Sequence, residues 1–122
     1  MSAAVLQGVP VITNDVDLWI DLPVRQYMRP VNAALRLGAK MVCNTVIELS
    51  DGMLVNFIYG VTGLGNFMTE LQKARRLKLH GCEIPVMPLE SIRKSKAAIM
   101  RDKDLAHVHY IDETLRLRKK AK

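Results

Sequence analysis

The stretch 44–60, NTVIELSDGMLVNFIYG, constrains the fold more than any other part of the chain. Two runs rich in β-branched and aliphatic residues flank Asp51-Gly52, a pair suited to the positive φ angles of a tight turn, so the sequence predicts an antiparallel hairpin. With Asp51 and Gly52 as the central turn residues, Ser50 faces Met53, Glu48 faces Val55 and Ile47 faces Asn56. Opposed side chains share a face of the sheet. This register therefore sends Glu48 and Asn56 to opposite sides.

Upstream, Val16, Leu18 and Ile20 alternate with Asp15, Asp17 and Trp19, which predicts a strand over about 15–21. In LPVRQYMRPVNAALRLGAK, Val24, Met28, Val31 and Leu35 recur at helical spacing and Gly38 stands where a C-terminal cap belongs. Pro23 suits a first helical turn. Pro30 either kinks the helix or marks a later start. Downstream, TGLGNFMTELQKARR reads as a loop entering a short helix, with Phe67, Leu71 and Ala74 on one face. LKLHGCEIPVMP reads as two strands turning at His80-Gly81. Two closing helices follow, the last with Leu105, Val108, Ile111 and Leu115 at spacings of three and four. The expected class is α+β (mixed α/β): a small mixed or antiparallel sheet with peripheral helices.

A length of 122 residues suits one domain, 1–122, with a single core. No apolar run approaches the roughly 18 residues of a membrane span, and MSAAVLQGVP has no basic start or long apolar segment. A cytoplasmic protein with no membrane partner is expected. Cys43 and Cys82 lack metal-ligand spacing and read as reduced, buried thiols. The net charge is +6, and removing 116–122, RLRKKAK, removes five positive charges and leaves +1. That basic tail either complements a helix C-terminus or contacts nucleic acid phosphates.

Asp15 and Asp17 lie two residues apart on one strand face, roughly 7 Å along the backbone. Two carboxylates in that position are either a solvated polar face or ligands of one cation, and Mg²⁺ favours a few carboxylates together with substrate phosphate oxygens.

The segment GVPVITNDVDLWIDLPVRQYMRPVNAALRLGA resembles the nucleotidyltransferase superfamily, with its DNA polymerase β-like fold, through Gly8, Thr13, Asp15, Asp17 and Leu18. EIPVMPLESIRKSKAAIMRDKDL resembles the end of small stand-alone bacterial members, through Pro85, Val86, Leu89, Ile92, Lys96, Arg101, Lys103, Asp104 and Leu105. The resemblance covers most of the chain. It implies metal-dependent transfer of a nucleoside monophosphate from a nucleoside triphosphate (NTP), with Asp15 and Asp17 as catalytic ligands of Mg²⁺ or Mn²⁺. Thr13, Lys96, Arg101 and Lys103 are its candidate nucleotide-binding residues. The three cations could instead meet polynucleotide or carboxylates of their own fold, and the favoured reading of each is an exposed, solvated charge.

Three departures bear on catalysis. No Gly-Gly or Gly-Ser phosphate turn precedes Asp15, and SAAVLQG supplies only part of the helix expected there. Asn56 stands where a third carboxylate is expected, and an amide can ligate a cation but cannot act as a general base. His107 stands where an acid often follows. The expectation is a nucleotidyltransferase-like protein with weakened or lost transfer activity. The alternative is a non-catalytic binding or assembly module that self-associates as a homo-oligomer and contacts a protein or, through its tail, nucleic acid. Small stand-alone members also occur in toxin–antitoxin pairs.

Overall fold

In the computed structural model, which describes residues 1–121 apart from the side chain of Val24, the expected helices and strands appear in order, together with a strand at Lys40–Cys43 that the apolar patterns do not predict. They are α1 (Ser2–Leu6), β1 (Asp15–Trp19), α2 (Met28–Arg36), β2 (Lys40–Cys43), β3 (Val46–Glu48), β4 (Leu54–Ile58), α3 (Phe67–Lys73), β5 (Arg75–Leu79), β6 (Cys82–Val86), α4 (Leu89–Ile99) and α5 (Asp102–Ala121). A 3₁₀ turn at Val24–Gln26 precedes α2. The class is α+β with two small sheets. The chain divides into two compact units: Met1, Ala3–Ile12 and the residues from Val61 onward form one, and Thr13–Gly60 with Ser2 the other.

The Thr13–Gly60 unit is a four-stranded sheet in the order β1-β4-β3-β2, parallel between β1 and β4 and antiparallel elsewhere. Helix α2 starts late enough for Pro30 to fall in its first turn, where the missing N–H leaves no bond unmade. It ends in a Schellman motif: Gly38, at φ +95, donates to the Leu35 carbonyl, and Ala39 donates to that of Ala34. Val31 of α2 packs against Ile47, Val55 and Phe57, with Val16, Ile20, Met28 and Ala34 around them. One face of the sheet is thereby closed. The alternation expected in β1 holds for Val16 and Ile20, whereas Leu18 is half exposed.

The hairpin forms, but its register corrects the sequence expectation. Gly52, at φ +89, donates to the Leu49 carbonyl, Leu49 donates to the Met53 carbonyl, and Asp51 Oδ1 accepts from the Met53 N–H. The turn thus has three residues, Ser50, Asp51 and Gly52, with glycine in the left-handed position, rather than two. Val46 faces Asn56, Ile47 faces Val55 and Glu48 faces Leu54. A slip of one residue reverses every side chain. Only this register turns Ile47 and Val55 together toward α2.

In the other unit, Ala4, Val9, Leu89, Ile92 and Ile111 form the core, with Leu115 and Met87 against it. Leu105, expected in the apolar stripe of α5, is about half exposed instead. β5 and β6 form a separate antiparallel ribbon whose turn residues His80 and Gly81 both have positive φ. Arg116 to Ala121 continue α5 as its last turns, and Lys122 of the expected tail lies outside the described residues. Cys43 and Cys82 are free thiols but exposed, contrary to expectation. Cys43 ends a strand whose four residues are all exposed, and Cys82 adjoins the ribbon tip.

Candidate functional site

The face of the four-stranded sheet opposite α2 carries the candidate residues in three cross-strand rows. Asp15, Leu54, Glu48 and Lys40 form the first, Asp17, Asn56 and Val46 the second, and Trp19 with Ile58 the third. Rows lie about 7 Å apart along the strands, and neighbouring strands about 4.8 Å apart. Asp15, Asp17 and Glu48 are exposed, and Asn56 and Trp19 are half-buried.

Asp17 and Asn56 are direct partners on parallel strands. The register brings together two carboxylates and one amide, as the sequence suggests. It also places Glu48 on this face, where the expected register had sent it away. Leu54 separates Glu48 from Asp15, a backbone separation of about 10 Å across two strand spacings. The missed signal was the core itself: Ile47, Val55 and Phe57 can share one face only if Glu48 joins Asn56 on the other.

Thr13 turns to the backbone here, its Oγ1 donating to the Asp15 carbonyl oxygen at 3.1 Å. That bond fixes the entry into β1. Among the described residues, no three His, Cys, Asp or Glu side chains converge closely enough to enclose a metal ion. An exposed carboxylate pair with an adjoining amide is nevertheless the oxygen donor set that Mg²⁺ takes when substrate phosphates complete its shell. The donor chemistry fits such a shared ion, not a closed protein cage. A shallow cavity of about 370 Å³ near the hairpin turn is lined by Asn14, Asp51, Gly52, Met53 and Leu54, and includes neither aspartate of the pair.

Lys96, Arg101 and Lys103 belong to the other unit. Two of them meet a carboxylate of their own fold. Asp104 has no exposed surface; its Oδ2 accepts from Arg101 Nε at 2.6 Å and from the Arg101 backbone N–H at 3.2 Å, and its Oδ1 lies 3.3 Å from Lys96 Nζ. The backbone bond satisfies a free donor at the start of α5, the return half of a capping box. The Arg101 guanidinium, joined by Lys96, holds the Asp104 carboxyl at about 2, below the usual carboxylate range, against the opposing effect of burial. Lys103 is exposed.

His107, one turn beyond Asp104, is half-buried with its Nδ1 lacking a hydrogen-bond partner. Burial, then Lys96 and the N-terminal ammonium, push its pKa down. His109 is exposed and meets Tyr110 edge-on, with ring centroids 5.7 Å apart.

The class these observations define is a small α+β protein with an acidic pair on an open sheet face. Comparison with protein-family models, curated proteins and solved structures finds no match to the chain.

Proposed function

We propose that this chain is a nucleotidyltransferase-like protein that binds a nucleoside triphosphate through a divalent cation at Asp15 and Asp17 and has weakened or lost the transfer reaction. The observation that carries this reading is the in-register pairing of Asp17 with Asn56, which puts an amide beside the carboxylate pair. Two carboxylates can share a cation with phosphate oxygens, and Mg²⁺ or Mn²⁺ bound there would neutralise phosphate charge. Asn56 can add an oxygen ligand but cannot accept the nucleophile's proton. Loss of a general base typically removes roughly 10²–10⁴-fold in rate. Glu48 is not placed to replace it, with Leu54 between it and Asp15.

The test is an NMR titration with Mn²⁺ followed by ATP, on the wild type and the Asp15→Ala/Asp17→Ala double variant. Broadening centred on 13–19 and 54–58, strengthened by ATP and absent in the variant, supports the reading. Uniform broadening in both proteins overturns it.

A second reading, an assembly module built on the same scaffold, is favoured by β2. All four residues of this edge strand are exposed, Met41 and Val42 among them, and an uncovered edge is a template for strand pairing. Self-association that Val42→Lys abolishes, measured by sedimentation, supports it; a monomer at all concentrations removes it.

A further inference from the structure

The basic charge of the chain is divided unequally between its two units. Residues 61–122 carry fourteen Lys and Arg against seven Asp and Glu, a net +7, whereas 13–60 carry four against five, a net −1. Within the basic unit, many cations are neutralised by the fold itself. Arg93 pairs with Asp112, Lys96 and Arg101 with Asp104, Arg116 with Glu113 and Lys73 with Glu70. Arg118 donates to the Gln7 carbonyl.

Lys94, Lys103, Lys119 and Lys120 are exposed on helices without an ion pair among the described residues, and the β5–β6 ribbon adds a further set on a strand. Arg75, Arg76 and Lys78 fall within four consecutive residues, all are exposed, and none takes part in an ion pair among the described residues. Lys78 is in register with Glu83 and still forms no bridge with it. The ribbon is amphipathic. Leu77 and Ile84 are half-buried and Val86 is buried on one side, which Arg75 shares as the partner of Val86, and this leaves Arg76 and Lys78, with Pro85 and Glu83, on the other. No third strand joins it, and its tip, His80-Gly81, is exposed.

We propose that the β5–β6 ribbon is a docking element for double-stranded DNA, with Arg76 and Lys78, which share its free face, contacting backbone phosphates. Two strands about 4.8 Å apart form a ribbon narrow enough for the B-form major groove, about 12 Å wide, whereas the major groove of A-form RNA is too narrow for side chains. Single strands are held largely by stacking on aromatic rings, and 75–86 contains no Phe, Tyr or Trp. The contacts are to phosphates, so the binding is independent of sequence and strongly dependent on salt. The inference concerns a different unit from the Asp15/Asp17 site and stands or falls separately from it.

The test is fluorescence anisotropy with a short labelled DNA duplex over a KCl series, using the full chain. Three proteins are compared: wild type, Arg76→Gln/Lys78→Gln, and Lys119→Gln/Lys120→Gln as a control at the end of α5. The wild type is expected to bind with a steep log–log salt slope. The ribbon variant should bind at least about tenfold more weakly at low salt, with a slope shallower by up to about 1.8, at 0.9 per lost phosphate contact. Circular dichroism shows whether the variant is folded, and the conservative Arg76→Lys protein, which keeps the charge, should retain binding. A ribbon variant that binds like the wild type overturns the proposal. So does a loss confined to the Lys119/Lys120 variant, or equal affinity for single-stranded DNA or duplex RNA.

Discussion

Lys96 Nζ on α4 lies 3.3 Å from Oδ1 of Asp104 on α5, a carboxylate with no solvent-exposed surface that also takes two bonds from the Arg101 side chain. Two cations and a backbone N–H around one carboxylate tie the α4–α5 connection together. Because the Asp104 pKa is depressed in the folded state, from 3.8 to about 2, the unfolded chain takes up this proton first as pH falls. The stability contributed by the charged form is complete above about pH 4 and is lost as pH falls through about 2. Urea unfolding of wild type and Asp104→Asn at several pH values should show the wild-type advantage largest near neutrality and shrinking over that window. An advantage independent of pH would falsify the assignment.

His107 has the opposite dependence on charge. Its folded pKa lies below 6.5, chiefly through burial and then through Lys96, so protonation favours the unfolded chain. As pH drops below about 6.5, the native protein loses stability on this account. His107→Gln should flatten the unfolding midpoint between pH 7 and 5, and an NMR titration of the imidazole should give a midpoint below that of an exposed histidine.

The hairpin register can be tested by cross-linking. Glu48 and Leu54 are opposed, and the bonds at Leu49–Met53 and Phe57–Thr45 on either side make theirs a non-hydrogen-bonded pair, in which side chains approach closely. With Cys43 and Cys82 replaced by serine, Glu48→Cys/Leu54→Cys should oxidise readily to a disulfide. Glu48→Cys/Val55→Cys should stay reduced, because those side chains leave opposite faces of the sheet. The reverse pattern, read by mass spectrometry, would restore the two-residue turn.

Asn56 offers a gain-of-function test of the proposed cation site. Asn56→Asp puts a third negative charge beside Asp17 and should tighten Mn²⁺ binding roughly tenfold, about 1.4 kcal/mol, whereas Asp17→Asn should weaken it by a similar factor. Trp19, the only tryptophan, lies two residues from Asp17 on the same face, so Mn²⁺ quenching of its fluorescence reports both changes. Identical titrations for all three proteins would place any Mn²⁺ elsewhere.

In the sheet core, Ile47 is 2% exposed and packs against Val31, Val55 and Phe57. Ile47→Ala should cost about 2–5 kcal/mol in denaturant unfolding. Gly38→Ala meets no atom within 4 Å, yet must hold φ +95, and should cost about 1–2 kcal/mol from backbone strain alone.

What the sequence determined by itself is local. Pro30 and Gly38 bound α2, Asp51-Gly52 and His80-Gly81 make turns, and apolar spacing defines the two closing helices, because φ preferences and periodicity act within a few residues. The tertiary structure decided what depends on distant partners. Asp-Gly is compatible with a two- or a three-residue turn, and burial of Ile47 and Val55 under α2 selects the latter, which carries Glu48 to the face of Asp15 and Asp17. In the same way, the sequence leaves open what Lys96 meets, and only the packing of α4 against α5 brings it to Asp104, whereas Arg101 reaches that carboxylate from within the same helical turn. A charge on another helix finds its partner by proximity in space, and spacing along the chain does not encode that proximity.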